Sequence, residues 1–185
     1  MNKKLTSIFA VIFVAAGLAA CGRAVADQPG APAGPETGGG NHEEARTGAT
    51  VTNDAAMFRE NFLGTGHWIG AATDNIVLEE DLLVEGDFWE KDEEANDHRR
   101  KIALYTQDAD RNVLDRFSVT APRVIVRSPN TVVAKGTIVG DIYVEANGFS
   151  LDDATVEGNI IFASQEYHDS ANLADGHVRG DVTVQ

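Results

Sequence analysis

The sequence has a single cysteine among 185 residues, and only 15 lysine and arginine side chains against 29 aspartate and glutamate side chains. One cysteine excludes an intramolecular disulfide and a metal site built from several cysteines. The deficit of positive charge gives a net charge of −14 at pH 7. A surface of that sign repels nucleic acid and anionic lipid headgroups. We therefore expect no nucleic-acid partner, whereas calcium, polyamines and basic proteins remain compatible with the charge.

Motifs of common enzymes are also missing. The sequence contains no glycine-rich phosphate loop, no HExxH motif and no serine in a nucleophile-elbow context. These absences argue against nucleotide enzymes and common hydrolases, so we predict that the protein is not an enzyme. No catalytic residue, metal ligand or cofactor is assigned from the sequence.

The N-terminus, MNKKLTSIFAVIFVAAGLAACG, has a lysine pair followed by an apolar run that is short for a membrane span. We predict that residues 1–20 are an export signal. The run closes on Leu18, Ala19, Ala20 and Cys21, which resembles the lipobox of bacterial lipoproteins. The resemblance implies that Cys21 receives a diacylglyceryl thioether and that the signal is cut before it. The alternative is a plain secretory signal with an incidental cysteine.

This resemblance implies a location in the bacterial cell envelope. Several acyl chains on Cys21 would hold the protein on the extracytoplasmic side of a membrane, since each buried methylene contributes about 0.8 kcal/mol. Gly22 does not resemble the aspartate that retains some lipoproteins at the inner membrane, so the outer membrane and the outer face of the plasma membrane both stay open. Without Lys3 and Lys4 the mature chain has a net charge of −16.

The segment after the cysteine has a different composition from the rest of the chain. Residues 21–52 are rich in Gly, Pro and Ala, which predicts a flexible lipidated tether because such a segment buries little apolar surface. Next, Asn53 or Asp54 is suited to cap a short helix that ends before Gly64 and Gly66. We expect this helix to cover an exposed end of the domain that follows.

Residues 53–185 are predicted to form an all-β domain. Short runs rich in Val, Ile, Phe and Thr are punctuated by Gly, Asn and Asp, which favours strands over helices. The polar stretches EKDEEANDHRRK and QDADRN are predicted to be loop insertions, the second a hairpin turn. In that turn Asp108, Asp110 and Asn112 resemble the start of an EF-hand calcium loop, but Val113 stands where the motif needs its glycine.

A repeat occupies the C-terminal part of the sequence. Within residues 131–185 the stretches VAKGTIVGDIYV, LDDATVEGNIIF and LADGHVRGDVTV share one template. Their glycines Gly140, Gly158 and Gly180 are separated by 18 and 22 residues, and a weaker copy, VEGDFW, contains Gly86, which lies 54 residues before Gly140. Self-similarity at a fixed period indicates a solenoid. A period near 18 predicts a short single-stranded β-helix, with coils stacked about 4.8 Å apart.

This register assigns a place to each position of the repeat. The glycines would lie at corners where a Cβ would clash or where φ is positive. The short polar residues after them would bond the local backbone at those corners. These polar residues are Asp141, Asn159 and Asp181. The interior pairs, stacked from coil to coil, are Ile142 with Val144, Ile160 with Phe162, and Val182 with Val184, while Tyr143, Ile161 and Thr183 face outward.

Short aliphatic strands broken by GDI or GNI about every 18 residues resemble the β-helical domain of bactofilins, bacterial polymer-forming cytoskeletal proteins. The resemblance covers residues 131–185 and implies a right-handed β-helix that assembles end to end, with nothing enzymatic. Residues 53–130 are predicted to form less regular coils with hairpin and loop insertions. Left-handed hexapeptide helices also have 18-residue coils, so that handedness stays open. The export signal and the few regular coils depart from the bactofilin pattern.

These features predict a lipid-anchored structural or interaction module of the cell envelope. The last coil would present unpaired backbone groups, which invite another chain, so Val182 and Val184 are candidates for a homo-oligomer contact. Alternatively, a loop within residues 163–172 folds over that end. A second functional hypothesis is a β-helix that binds polysaccharide or calcium, or cleaves polysaccharide. Asp141 and Asp181 would then share one column, about 9.6 Å apart, which is too far for one ion to bridge.

Overall fold

The computed structural model describes residues 49–185. Residues 1–48 lie outside the described residues, and with them the predicted export signal, Cys21 and most of the predicted tether. No helix within the described range combines the length and the apolar character needed to cross a membrane.

Strands dominate the described part of the chain. Their bounds are β1 (Ala49–Thr52), β2 (Ile69–Ala72), β3 (Ile76–Val77), β4 (Leu82–Val84), β5 (Arg100–Ala103), β6 (Tyr105–Gln107), β7 (Val113–Arg116), β8 (Ser118–Val126), β9 (Thr131–Ala134), β10 (Thr137–Val144), β11 (Ser150–Val156), β12 (Ile160–Phe162), β13 (Asn172–Val178) and β14 (Val182–Val184). The α-helices are α1 (Ala55–Asn61) and α2 (Gln165–Asp169), and a single 3-10 turn covers Glu90–Asp92.

Twelve of these strands form one sheet, and β6 and β7 form a separate antiparallel hairpin. Every pairing within the large sheet is parallel. The path β1-β2-β5-β9-β11-β10-β12-β14 curls into a half-barrel. The predicted β class is therefore confirmed, and so is the hairpin turn between β6 and β7.

Parallel pairing follows three rows, each of which joins equivalent positions of successive repeat units. In the third row Ile142 of β10 pairs with Ile160, and Ile160 pairs with Val182, which is the predicted register. The same row continues in the other direction to Val124 and Leu82. The second row joins Ile76, Val119, Ile138, Val156 and Val178. The first row joins Thr50, Gly70, Ile102, Val133 and Leu151.

The core lies between the rows, where their inward-facing residues meet. Ile138, Ile142 and Val144 of β10 are fully buried, as are Ile160 and Phe162 of β12. Burying one such side chain stabilises the folded state by about 1.5–3 kcal/mol, so stacking of successive units is the main source of stability.

Helix α1 packs on β1 and β2, at the N-terminal end of the sheet. Phe58 of the helix and Phe62 just after it are fully buried in the core and meet edge to face, with ring centroids 5.1 Å apart. The Asp54 side chain caps the helix by accepting a hydrogen bond from the Met57 N–H at 2.8 Å. Asp54 is therefore the cap, rather than Asn53, and the helix covers this end of the core as predicted.

Strand β1 corrects the predicted boundary of the tether. Residues 49–52 were assigned to the tether, but Ala49–Thr52 pairs in parallel with Ile69–Ala72. The β-branched side chains of Thr50, Val51 and Thr52 favour a strand. The Gly, Pro and Ala content of the preceding residues hid that local preference. The folded part therefore begins no later than Ala49.

The position of Gly86 also differs from the predicted repeat. Leu82 pairs with Val124, and Val124 pairs with Ile142, which lies two residues after Gly140. The position equivalent to Gly140 therefore lies two residues before Leu82. Gly86 lies four residues after Leu82, so it belongs to a different turn of the chain. Its φ of +94° explains why glycine is used there. The 54-residue spacing contains insertions, including the hairpin β6–β7, rather than three regular repeats.

A buried arginine holds the insertion that precedes β5. The Arg100 guanidinium donates to the backbone oxygens of Asn61 and His67, and it stacks 3.7 Å from the centre of the Phe88 ring. Burial lowers the pKa of Arg100 to about 10, and the charge of Asp92 acts in the opposite direction. Arg100 therefore keeps its charge at neutral pH while it ties the insertion to the loop after α1.

Candidate functional site

The last repeat unit, defined as residues 172–185, contains β13 and β14. β13 pairs with β11, and β14 pairs with β12. No strand among residues 49–185 pairs with the opposite side of β13 or β14. We call this unpaired side the C-terminal edge. Its backbone N–H and C=O groups form a template onto which another strand is able to add.

The inner side of the last repeat unit is open at this edge. Val182 and Val184 occupy the same inward positions as Ile160 and Phe162. Ile160 and Phe162 are 0% exposed, whereas Val182 is 41% and Val184 is 38% exposed. Stacking of the next unit is what buries each inward pair, and residues 49–185 supply no unit beyond the last. The predicted self-association candidates therefore lie together on an apolar, accessible face.

Residues 163–172, the alternative cover for this end, contain helix α2. Ser164 caps the helix by accepting a hydrogen bond from the Tyr167 N–H at 3.3 Å. Tyr167 packs against the core, and the His168 ring meets the Phe162 ring edge to face at 5.2 Å. The helix thus absorbs the four extra residues of the longer repeat spacing. It does not bury Val182, which remains accessible.

A column of polar side chains runs toward the edge. The Asp141 carboxylate accepts hydrogen bonds from the Asn159 N–H at 2.8 Å and from the Asn159 side-chain amide at 3.0 Å. The Asn159 amide oxygen in turn accepts a hydrogen bond from the Asp181 N–H at 2.9 Å. These bonds link successive units, whereas the sequence predicted bonds to the local backbone. No donor among residues 49–185 reaches the Asp181 carboxylate, so the column ends on an unused acceptor.

The glycines before these polar residues are required for close approach. A Cβ on Gly158 would lie 2.4 Å from the Gly140 oxygen, and one on Gly180 would lie 2.5 Å from the Gly158 oxygen. Gly140 also has a φ of +143°, and its Cβ would lie 2.2 Å from the Ala121 oxygen. Successive units thus stack backbone on backbone at this corner, which leaves no room for a side chain.

Sequence inspection missed the other corners because residues other than glycine occupy them. Asn130 has a φ of +53°, Lys135 a φ of +59° and Asp153 a φ of +51°. Asn and Asp adopt this left-handed conformation more readily than other L residues, so the polar type of two of these residues was the available signal. Lys135 carries no such signal.

Charge is distributed unevenly along the domain. Residues 53–99 contain 13 acidic and three basic side chains, a net charge of −10. Residues 172–185 contain only Asp175, Asp181 and Arg179, a net charge of −1. The C-terminal edge is therefore almost uncharged on a strongly acidic protein. Like-charge repulsion opposes contact between two copies least at this edge.

A groove of about 400 Å³ crosses the surface beside the C-terminal edge and includes Arg116, Asp153, Asp175 and His177 in its lining. Arg116 donates to the backbone oxygen of Asp153 at 3.0 Å and pairs with its carboxylate. The hydrogen bond from Arg116 to the Asp153 carboxylate lowers the pKa of Asp153 below its usual range. No three His, Cys, Asp or Glu side chains of residues 49–185 come together as a metal-binding group.

The side chains of Asp108 and Asn112, which resemble the start of a calcium loop, are hydrogen-bonded to each other. Both oxygens of the Asp108 carboxylate accept hydrogen bonds from Asn112, at 2.8 and 2.9 Å, which lowers the pKa of Asp108. The backbone of Asp110 also hydrogen-bonds the Asp108 carboxylate, so the turn is organised around Asp108.

Comparison with protein-family models, with curated proteins and with solved structures found no match to this chain. The proposals that follow therefore depend on the geometry of the described residues and on the sequence patterns outside them.

Proposed function

We propose that the protein is a lipid-anchored β-helix that serves as a structural or interaction module on the extracytoplasmic side of a bacterial envelope membrane. Copies of the chain associate through the C-terminal edge. The observation that carries this proposal is the pair Val182 and Val184, whose inward-facing side chains are about 40% exposed on an unpaired strand edge.

Three features support the β-helix. The rows of parallel pairing repeat with an 18-residue step between Ile142 and Ile160, and their inward residues are buried. One corner has no room for a Cβ at Gly158. Each of these features is expected where coils stack directly on one another. We propose the right-handed form, which the resemblance to bactofilins implies.

The anchor is proposed from the sequence of residues 18–21, which resembles a lipobox. Labelled palmitate should be incorporated into the full-length protein expressed in a bacterium, and the protein should partition into the detergent phase. Cys21→Ser should abolish both, because no other thiol is present. Ser7→Ala, which changes the predicted signal but keeps the cysteine, should leave both intact. Label retained by Cys21→Ser would overturn the anchor.

Association is tested with the full-length protein in detergent by light scattering across a concentration series. The unmodified protein should form a species larger than a monomer. Val182→Lys should weaken association at least tenfold, which corresponds to about 1.4 kcal/mol, because it buries a charge against apolar side chains. Val77→Lys is the matched control, since Val77 is exposed on β3 at the other end of its row. A strict monomer at high concentration would overturn self-association.

The second candidate function is binding of a polysaccharide or of calcium. For a polysaccharide, the groove beside the C-terminal edge supports it, because Arg116, Asp175 and His177 in its lining offer hydrogen-bonding groups to a sugar. A glycan array and a calcium-dependent shift in melting temperature test this function. A purely structural module should show neither response.

A further inference from the structure

We propose that two copies of the chain meet tail to tail, with their C-terminal edges related by a two-fold axis, and that this contact closes as a dimer instead of propagating as a filament. The inference depends on the proposed self-association and specifies its geometry. Three independent features of the described residues carry it: the difference between the two ends, the distribution of charge, and the pattern of side chains along β14.

The two ends of the domain differ in what lies beside their strands. The C-terminal edge offers β14 and both halves of β13, which belong to all three rows. At the N-terminal end β1, β3 and β4 also pair with another strand on one side only, but helix α1 packs on β1 and β2 there. A head-to-tail contact joins the two different ends and is able to propagate, whereas a single two-fold contact joins identical ends and closes. In a two-fold contact between C-terminal edges, α1 of neither copy stands between the strands.

Charge favours the same arrangement. Residues 53–99 carry −10 and residues 172–185 carry −1. Head-to-tail stacking would bring the acidic end of one copy against the neighbouring copy at every contact. Tail-to-tail contact places the acidic ends at opposite extremes, farther apart than the screening length of about 8–10 Å at physiological ionic strength.

The side chains of β14 are self-complementary about Thr183. A two-fold axis through Thr183 pairs β14 of one copy antiparallel with β14 of the other. Val182 of one copy then lies opposite Val184 of the other, and the period of two keeps all four valines on the inner side. The same register sets Asp181 opposite Gln185, so that the side-chain amide of Gln185 donates to the Asp181 carboxylate. This donor satisfies the acceptor on which the polar column ends.

Thr183→Cys tests this geometry in the full-length protein. Directly opposite residues of an antiparallel pair have Cβ atoms about 4.5–5.5 Å apart, close enough for a disulfide after a small adjustment. Mild oxidation should convert most of the variant to a covalent dimer on a non-reducing gel. The parent protein, which has only Cys21, is the first control and should remain uncrosslinked. Val77→Cys, at the opposite end, is the second control and should also remain uncrosslinked.

The double variant Val77→Cys with Thr183→Cys distinguishes a dimer from a filament. A closed dimer gives the same single band as Thr183→Cys alone. A ladder of larger species, or a crosslink between separately tagged Val77→Cys and Thr183→Cys copies, would show head-to-tail contact and overturn the inference while self-association stands. Association by light scattering without a Thr183 crosslink would also overturn the proposed two-fold contact while self-association stands. A monomer by light scattering would overturn both the proposed self-association and the inference.

Discussion

The Asn159 N–H donates a 2.8 Å hydrogen bond to the carboxylate of Asp141, 18 residues earlier in the chain. Asn159 then accepts a hydrogen bond from the Asp181 N–H in the same way. Each polar side chain therefore holds the backbone of the following unit. An amide in the middle position both donates and accepts, and it separates the two carboxylates of the column by one unit.

Removing the Asp141 acceptor should destabilise the domain. Asp141→Ala leaves the Asn159 N–H without its partner, and we expect a loss of about 1–3 kcal/mol in the free energy of unfolding. Asp141→Asn retains the side-chain oxygen and should cost less. Chemical denaturation measures both, with the exposed Asp97→Ala as a control that should change little. Equal losses for Asp141→Ala and Asp141→Asn would show that charge, not the acceptor, is what matters.

Gly158→Val should be strongly destabilising. The new Cβ would lie 2.4 Å from the Gly140 oxygen, a backbone atom that moves only if the two units separate. We expect a loss of about 3 kcal/mol or more, within the range of severe core substitutions. Glu157→Gln is the adjacent control. It weakens an exposed ion pair with Arg179 at 3.3 Å and should cost less than about 1 kcal/mol.

Thermal unfolding of the two variants provides the measurement. If Gly158→Val melted at the temperature of the unmodified protein, the assignment of this corner and the register built on it would have to be abandoned.

The regular part of the fold could be predicted because its signal is repeated. Gly140, Gly158 and Gly180 mark one corner in three units, and that agreement set the register of Ile160 against Val182. The helix cap at Asp54 could be predicted for a different reason, since capping depends on a few adjacent residues. Val182 and Val184 take the inward positions of the same register, and they are exposed because no unit among residues 49–185 stacks on them.

The rest depends on contacts between distant segments, which a single sequence does not display. Arg100 and Asn61 are 39 residues apart, and nothing near either residue marks their hydrogen bond. Gly86 was misassigned because its local sequence, EGD, resembles that of the repeat although its strand pairs in a different alignment. Lys135 is left-handed only because the stacked units fix its backbone.

Arg100→Met should destabilise the domain by about 3–5 kcal/mol, because it removes a buried charged donor and leaves the backbone oxygens of Asn61 and His67 without their donor. Methionine keeps most of the apolar contact with Phe88, so the loss reports mainly on the polar contacts. Arg99→Met is the control, as Arg99 is only partly buried and has no side-chain hydrogen bond or ion pair among residues 49–185. A loss below 1 kcal/mol for Arg100→Met would mean that the insertion before β5 is held by other contacts.

The ion pair between Arg116 and Asp153 should make stability depend on pH in the acid range. Its hydrogen bond lowers the pKa of Asp153, so the folded state binds this proton less readily than the unfolded state, where the pKa is about 3.9. The contribution is therefore fully present above the unfolded pKa and is lost as the pH falls through the lower, folded pKa. Asp153→Asn tests the charge alone, because asparagine tolerates the φ of +51° at this position.

Melting temperatures of the unmodified protein, Asp153→Asn, Arg116→Gln and the double variant form a thermodynamic cycle. The coupling between the two positions should be measurable at pH 7, shrink as the pH falls below about 4, and weaken in high salt because both side chains are exposed to solvent. A coupling that stayed constant between pH 7 and pH 2.5 would mean that the two side chains interact independently of the Asp153 charge, and the ion pair would not be what joins these two segments.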